Sequence, residues 1–177
     1  MPNTQDFVIE DKVLIRYTGT DAIVTIPNSV IRIDDYAFAK CTSLQQVTIP
    51  NSVTRIGDYA FAECISLQQI TIPDSVTYIG DYVFSKCKSL QQVTIPDSVT
   101  EISYSAFINC ISLQQITIPD SVKYIRDYAF AGCTSLQQIN VESDRVKKLL
   151  ISSKGRITEA IIKVKTSAYD TISATSF

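Results

Sequence analysis

Five cysteines, Cys41, Cys64, Cys87, Cys110 and Cys133, are the residues of this 177-residue chain with the widest choice of chemistry. A thiolate can act as a nucleophile, bind a metal or form half of a disulfide. Each use needs company. A nucleophile needs a base and a group that orients it, and the chain has no histidine. Zinc sites draw closely spaced Cys or Cys/His pairs, whereas these five recur at a fixed step of 23 residues. Disulfide frameworks favour an even count and irregular spacing. Carboxylates recur at the same step, as Asp74, Asp97, Asp120 and as Asp58, Asp81, Asp127, in positions of turn and cap chemistry. No glycine-rich phosphate loop is present. These residues point away from an enzyme and call for neither a cofactor nor a metal. The thiols read instead as small hydrophobes in one buried column. Neighbouring rungs would bring their Cα atoms to about 4.8 Å, but parallel Cβ directions make poor disulfide geometry.

The elements that must hold this column repeat with the same period. Pro27, Pro50, Pro73, Pro96 and Pro119 keep it, as do Phe38, Phe61, Phe84, Phe107 and Phe130, and Leu44, Leu67, Leu90, Leu113 and Leu136. A fixed period of this length means a solenoid, in which each unit buries its apolar face against its neighbours. Within Leu67–Ser89, Ile70 and Ile72 alternate with Gln69 and Thr71, the pattern of a strand with one buried face. Pro73 lacks the N–H to continue the ladder, and Pro73-Asp74-Ser75 has turn chemistry. Val76 and Ile79 return inward on a short extended segment, and Gly80 is expected to permit a bend. Asp81 reads as the N-cap of a short helical turn whose inward face carries Val83, Phe84 and Cys87.

Composition sets further bounds. Hydrophobic residues make up 45% of the chain, enough for a core. No apolar run approaches the ~20 residues of a membrane span, so no membrane insertion is expected. The opening Met-Pro-Asn-Thr-Gln-Asp does not resemble a signal peptide. Residues 1–140 hold nine Lys/Arg against fourteen Asp/Glu; residues 141–177 hold seven against four. Neither block forms the dense basic stripe that nucleic acid needs.

The run Leu-x-x-Ile-x-Ile, continued by Pro-Asp-Ser-Val-Thr-x-Ile-Gly-Asp-Tyr-Ala-Phe-x-x-Cys-x-Ser-Leu, resembles the BspA-type leucine-rich repeat family over residues 23–141. The resemblance implies an α/β repeat solenoid, a leucine-rich-repeat right-handed superhelix with one β-strand and a short helical turn per 23-residue rung, capped at both ends. It implies bacterial or protist surface proteins linked to adhesion, hence a cell-surface or secreted location, although free cysteines also suit the cytoplasm. Members of the family carry no shared catalytic or binding motif to transfer, and many are long and anchored, whereas no export signal or anchor is expected from these residues.

The expected organisation has three parts. Residues 1–22 form a β-hairpin cap from Phe7-Val8-Ile9 and Val13-Leu14-Ile15. Residues 23–141 hold five repeats and a final strand. Residues 142–177 form a helix–strand cap, with Ser143 capping a helix over 144–152, a last strand over 160–164 and a loose tail over 170–177.

Solenoids bind through their sheet. That face should carry Gln69, Thr71, Gln92, Thr94, Gln115 and Thr117 in neutral ladders, which read either as cross-strand stabilisation or as a shallow polar groove for an extended peptide or glycan. The repeat drifts along Arg32, Arg55, Tyr78, Glu101 and Tyr124, and again at Ser103-Tyr104-Ser105, where Ile108 and Ile111 add an apolar spot. Tyr78, Tyr104 and Tyr124 are therefore candidate anchors. The basic residues Arg145, Lys147, Lys148, Lys154 and Arg156 near the C-terminus read as a solvated face or an anionic docking site. The function expected is a non-catalytic binding module for a protein or glycan ligand, monomeric or weakly self-associating. The alternative is a structural scaffold that assembles through its terminal rungs.

Overall fold

The computed structural model describes residues 4–155, 157 and 161–165. The chain winds through about six turns of a β-solenoid. A seven-stranded sheet runs along one side in the order β14-β13-β11-β9-β7-β5-β3. Its members are β3 (Ile23–Thr25), β5 (Gln46–Thr48), β7 (Gln69–Thr71), β9 (Gln92–Thr94), β11 (Gln115–Ile118), β13 (Gln138–Val141) and β14 (Ile162–Val164). All its pairings are parallel and advance by 23 residues, from Val24↔Val47 to Ile139↔Ile162. The strand expected over 160–164 appears as β14; residue 160 lies outside the described residues, as does the tail over 170–177.

Each rung adds a second, two-residue strand after its proline turn: β4 (Arg32–Ile33), β6 (Arg55–Ile56), β8 (Tyr78–Ile79), β10 (Glu101–Ile102) and β12 (Tyr124–Ile125). The turn itself closes through hydrogen bonds such as Val76 N–H to Pro73 O, 3.0 Å, and Ser75 Oγ joins it to the rung before at Val53 O, 2.7 Å. The hairpin of β1 (Phe7–Glu10) and β2 (Val13–Tyr17) pairs with β4, giving the order β1-β2-β4-β6-β8. β10 and β12 pair separately.

The third side corrects the expected helix. Residues 81–86 form consecutive turns, with Tyr82 and Lys86 at φ 54° and 60°. The same left-handed pair recurs at Tyr36/Lys40, Tyr59/Glu63, Ser105/Asn109 and Tyr128/Gly132. Left-handed residues cannot propagate a right-handed helix. They turn alternate N–H groups along the solenoid axis instead. Tyr82, Phe84 and Lys86 donate to the carbonyls of Tyr104, Ala106 and Ile108 at 2.8–2.9 Å. Rung-to-rung bonding thus replaces the within-helix bonds. Among the described residues the one α-helix is α1 (Asp144–Ser152), opened by Ser143. Val146 and Leu150 are its buried residues. No helix among the described residues is long and apolar enough to cross a membrane.

Asp81 caps no helix either. Its carboxylate accepts from Tyr104 N–H, 3.0 Å, in the next rung, as Asp35 accepts from Asp58 N–H and Asp58 from Asp81 N–H. This aspartate ladder explains the glycines. A Cβ on Gly80 would lie 2.6 Å from Asp58 N and 2.6 Å from Gly57 C, while φ there is not positive. The glycine serves close approach between rungs rather than a bend.

The core lies between the three sides as continuous columns. In one rung Leu67, Ile70, Ile72, Val76, Ile79, Val83, Phe84 and Cys87 are all buried. Phe38, Phe61, Phe84, Phe107 and Phe130 stack at 5.0–5.6 Å between centroids, and Tyr17 and Phe7 extend the column. One junction is thinner than the rest. β7 pairs with β9 at Gln69↔Gln92 alone, and β8 is not paired with β10. There Ser103 replaces the ladder glycine and meets Ile79 O with its hydroxyl, 2.6 Å, whereas Gly57, Gly80 and Arg126 donate their backbone N–H one rung back.

Candidate functional site: the sheet face and the tyrosine–arginine face

The cysteine column is chemically quiet. Cys64, Cys87, Cys110 and Cys133 each donate to the carbonyl of a phenylalanine one rung back, at 3.0–3.1 Å. All five thiols are free. Burial pushes Cys41 up to about 11 and Cys133 to about 12, and raises Cys64, Cys87 and Cys110 well above the ordinary thiol value. A buried thiol with this little thiolate is a poor nucleophile. No group of three or more His, Cys, Asp or Glu among the described residues is placed to hold a metal.

Two surfaces remain as candidates. On the seven-stranded sheet, the glutamines 46, 69, 92, 115 and 138 align strand by strand, while Thr48 pairs with Thr71 and, past the β7–β9 junction, Thr94 aligns with Thr117 and Asn140. Gln69, Thr71, Gln92 and Thr94 are exposed, while Gln115 and Thr117 are half-buried. The face holds two shallow troughs. One, of about 460 Å³, lies between Gln46, Thr48, Gln69 and Thr71; the other, of about 220 Å³, is walled by glutamine side chains from Gln69 to Gln138. The glutamine trough is neutral and repetitive, and Asp74 is the one charged residue lining the other.

The second surface is the short-strand side. The pairings place Arg32, Arg55 and Tyr78 in one row and Glu101 beside Tyr124 in its continuation. Much of the row is engaged internally. Arg32 pairs with Asp34. Arg55 lies over the Tyr78 ring at 3.7 Å, and Tyr78 reaches Asp58 Oδ1 at 3.4 Å. Burial, then the Asp58 charge, raises the Tyr78 phenol. Tyr78 is therefore half-buried and engaged within its own rungs.

Tyr104 and Tyr124 are different, at 46% and 54% exposed. Between them stands Arg126, whose guanidinium makes a bidentate pair with Glu101 at 2.8 and 2.9 Å. That fork holds the cation 5.1 Å from the Tyr124 ring and 5.9 Å from the Tyr104 ring. Two residues beyond Arg126 in the chain, the exposed Tyr128 has its N–H bonded to Lys154 O at 2.6 Å. Lys154 pairs with Asp127 at 3.1 Å. The cluster mixes aromatic bodies with polar heads, the composition of interface anchors.

Sequence reasoning named Tyr104 and Tyr124 but missed Arg126 and Tyr128. The signal for Arg126 was present, because it stands where two rungs carry the ladder glycines Gly57 and Gly80. Tyr36, Tyr59 and Tyr82 were also passed over. They stack in parallel at 4.9 and 4.7 Å on left-handed residues, and Ser105 interrupts the row before Tyr128.

The sequence profile of the BspA type leucine rich repeat region, in six copies, matches residues 17–137 and 54–173. The chain is similar to the T. pallidum leucine rich repeat protein, with 32% identity over 78% of this chain and 70% of that one, at a TM-score of 0.74. It is similar to a leucine rich cell surface protein of Faecalibacterium prausnitzii, with 36% identity over 85% of this chain and a TM-score of 0.77, yet it spans only 41% of that protein. The pneumococcal vaccine antigen PcpA shares the fold, with a TM-score of 0.64 at 21% identity over 89% of this chain and 45% of its own. No curated protein sequence matches. With most of its length under one repeat profile and with close relatives that share its solenoid, the chain belongs to the BspA-type leucine-rich repeat family.

Proposed function

We propose that this chain is a non-catalytic binding module, adhesin-like, that engages a protein partner through the tyrosine–arginine face of its fourth and fifth rungs. The observation that carries the reading is the placement of Tyr104 and Tyr124 around Arg126. It exposes aromatic area around a cation already fixed by Glu101, so less conformational entropy is lost on contact. The cell-surface description of the F. prausnitzii relative is consistent with this role. The test is surface plasmon resonance against purified matrix glycoproteins, with Tyr104→Ala and Tyr124→Ala compared with the unmodified chain. Each substitution should weaken a measured contact at least ~10-fold, as anchors do, while the melting temperature stays put. Unchanged binding by both variants would overturn the assignment of the face.

A second reading is a self-associating scaffold. It draws on the outer edge of β3, which ends the seven-stranded sheet with Ile23 65% exposed. Open parallel edges are templates for further strands. Light scattering across a concentration series separates the two readings.

A further inference from the structure

The left-handed side of the solenoid meets the β1–β2 hairpin at its first rung and is only partly covered by it. Along this side each rung donates three backbone N–H groups to the next. Tyr36, Phe38 and Lys40 bond to the carbonyls of Asp58, Ala60 and Ala62, and Tyr59, Phe61 and Glu63 to those of Asp81, Val83 and Ser85, at 2.7–2.9 Å. The equivalent carbonyls of the first rung are those of Asp35, Ala37 and Ala39. The hairpin serves the middle one. Tyr17 N–H bonds to Ala37 O at 2.8 Å, and the Tyr17 ring lies 5.2 Å from Phe38, extending the phenylalanine column. Among the described residues nothing donates to Asp35 O or Ala39 O.

The tyrosine column stops at the same place. Tyr36, Tyr59 and Tyr82 stack with their rings within 5° of parallel. Tyr59 covers one face of the Tyr36 ring, yet Tyr36 is 57% exposed. It lines a cavity of about 450 Å³ with Arg16, Tyr17, Ala37, Ala39 and Lys40. The two charged residues of that lining are both cations. Neither makes an ion pair among the described residues, and Glu63, one repeat on from Lys40, is held by Lys86 at 2.9 Å. Within the ladder a single residue makes two contacts at once. Tyr36 donates its N–H to Asp58 O and lays its ring on Tyr59; Tyr59 does the same to Asp81 O and Tyr82. Asp35 O and the Tyr36 ring offer that same pair of contacts to a residue from outside. A segment that completes an open ladder gains main-chain bonds as well as side-chain contacts. Stacked rings attract beyond the area they bury, and unpaired cations favour acidic neighbours.

We infer that this corner of the first rung docks an aromatic residue of a partner peptide flanked by acidic residues, with its N–H on Asp35 O, its ring on Tyr36 and its carboxylates beside Arg16 and Lys40. The site lies three rungs from the tyrosine–arginine face, and its failure would leave that assignment untouched. The test is an NMR titration of the full chain with the peptide N-acetyl-Glu-Tyr-Glu-amide. Saturable shifts are expected at the amides of Tyr36, Ala37 and Lys40. Leucine in place of the peptide tyrosine should weaken binding roughly 3–10-fold, the worth of an aromatic pair. Methylating the tyrosine nitrogen removes the donor to Asp35 O and should cost about 5-fold. Arg16→Glu with Lys40→Glu should reverse the preference toward a Lys-Tyr-Lys peptide. Tyr36→Ser should lose the contact and keep the fold, because Ser105 holds the equivalent position at φ 51°, as Glu63 holds that of Lys40 at φ 61°. Tyr104→Ala should bind the peptide like the unmodified chain. Absence of saturable shifts at Tyr36, undiminished binding of the leucine or N-methyl peptide, or full affinity in Tyr36→Ser would overturn the inference.

Discussion

Gly80→Ala tests the aspartate ladder most directly. The new Cβ would meet Asp58 N and Gly57 C, both at 2.6 Å and both backbone, so no side chain can swing aside. Overpacking of this kind costs about 1–3 kcal/mol. Moving the rungs apart also lengthens Gly80 N–H to Ile56 O and Asp81 N–H to Asp58 Oδ1, each 2.9 Å. Each bond contributes roughly 1 kcal/mol. The smaller entropy of the unfolded alanine chain returns about 0.4–1 kcal/mol. The net loss is about 2–4 kcal/mol, and a chain of this size loses roughly 2–4 °C of melting temperature per kcal/mol. A fall of roughly 6–12 °C in a calorimetric melt is therefore expected for a mid-range loss of ~3 kcal/mol. Gly132→Asn is the control. Gly132 has φ 74°, yet Lys40, Glu63, Lys86 and Asn109 occupy the equivalent position at 59–63° with their side chains. Its cost should stay below ~1–2 kcal/mol, because Asn tolerates the left-handed region. A Gly80→Ala melt within about 2 °C of the unmodified chain, less than 1 kcal/mol on this scale, would refute close approach as the reason for glycine.

Three further outcomes follow from the columns and the C-terminal helix. Phe84→Ala removes a fully buried ring stacked between Phe61 and Phe107 and should cost roughly 3–5 kcal/mol in denaturant unfolding. Maleimide labelling at neutral pH should be slow everywhere and should begin at the half-exposed Cys41 and Cys133, followed by mass spectrometry, and it should quicken as pH rises toward about 11, the value for Cys41. Asp120 is held low by the Ser143 hydroxyl and then Arg145, and Asp127 by the Lys154 backbone N–H and then its ammonium. Carboxyls lowered by folding stabilise above their unfolded pKa and lose that contribution as pH falls through the folded value. Hydrogen exchange in Asp144–Ser152 should thus accelerate below the ordinary aspartate range before exchange in the inner rungs does.

The sequence carried the fold further than the function because its period records packing. Leu, Phe and Cys recur where columns form, and 23-residue spacing predicted the parallel register, the proline turn and the buried thiols. It misjudged residues 81–87 because Val83, Phe84 and Cys87 fit one face of a helix as well as they fit alternating turns. Tyrosine and lysine at left-handed φ give no local sign of that backbone. Gly80 was read as a bend since a glycine alone does not distinguish positive φ from close approach. The second strand of each rung was legible only as a short extended segment running to Ile79, because two residues are too few for alternation to register. On the candidate face, Tyr104 and Tyr124 showed through drift in the repeat. Arg126 departs from the repeat as well, at the position of Gly57 and Gly80, but its meaning depends on Glu101 reaching it from 25 residues away.

The thin junction at Ser103 divides the molecule in a way that its even period conceals. A solenoid's stability is a sum of rung terms and neighbour terms, and it is only as cooperative as its weakest neighbour term. Between the β7–β8 turn and the β9–β10 turn, the missing strand bonds lower that coupling while the phenylalanine stack and the left-handed side maintain it. The chain should therefore open as two foldons, with amide protection falling in steps on either side of residue 90 rather than grading smoothly from the ends. The tyrosine–arginine face lies wholly within the C-terminal foldon, so a bound partner would slow exchange there and leave the first three rungs unchanged.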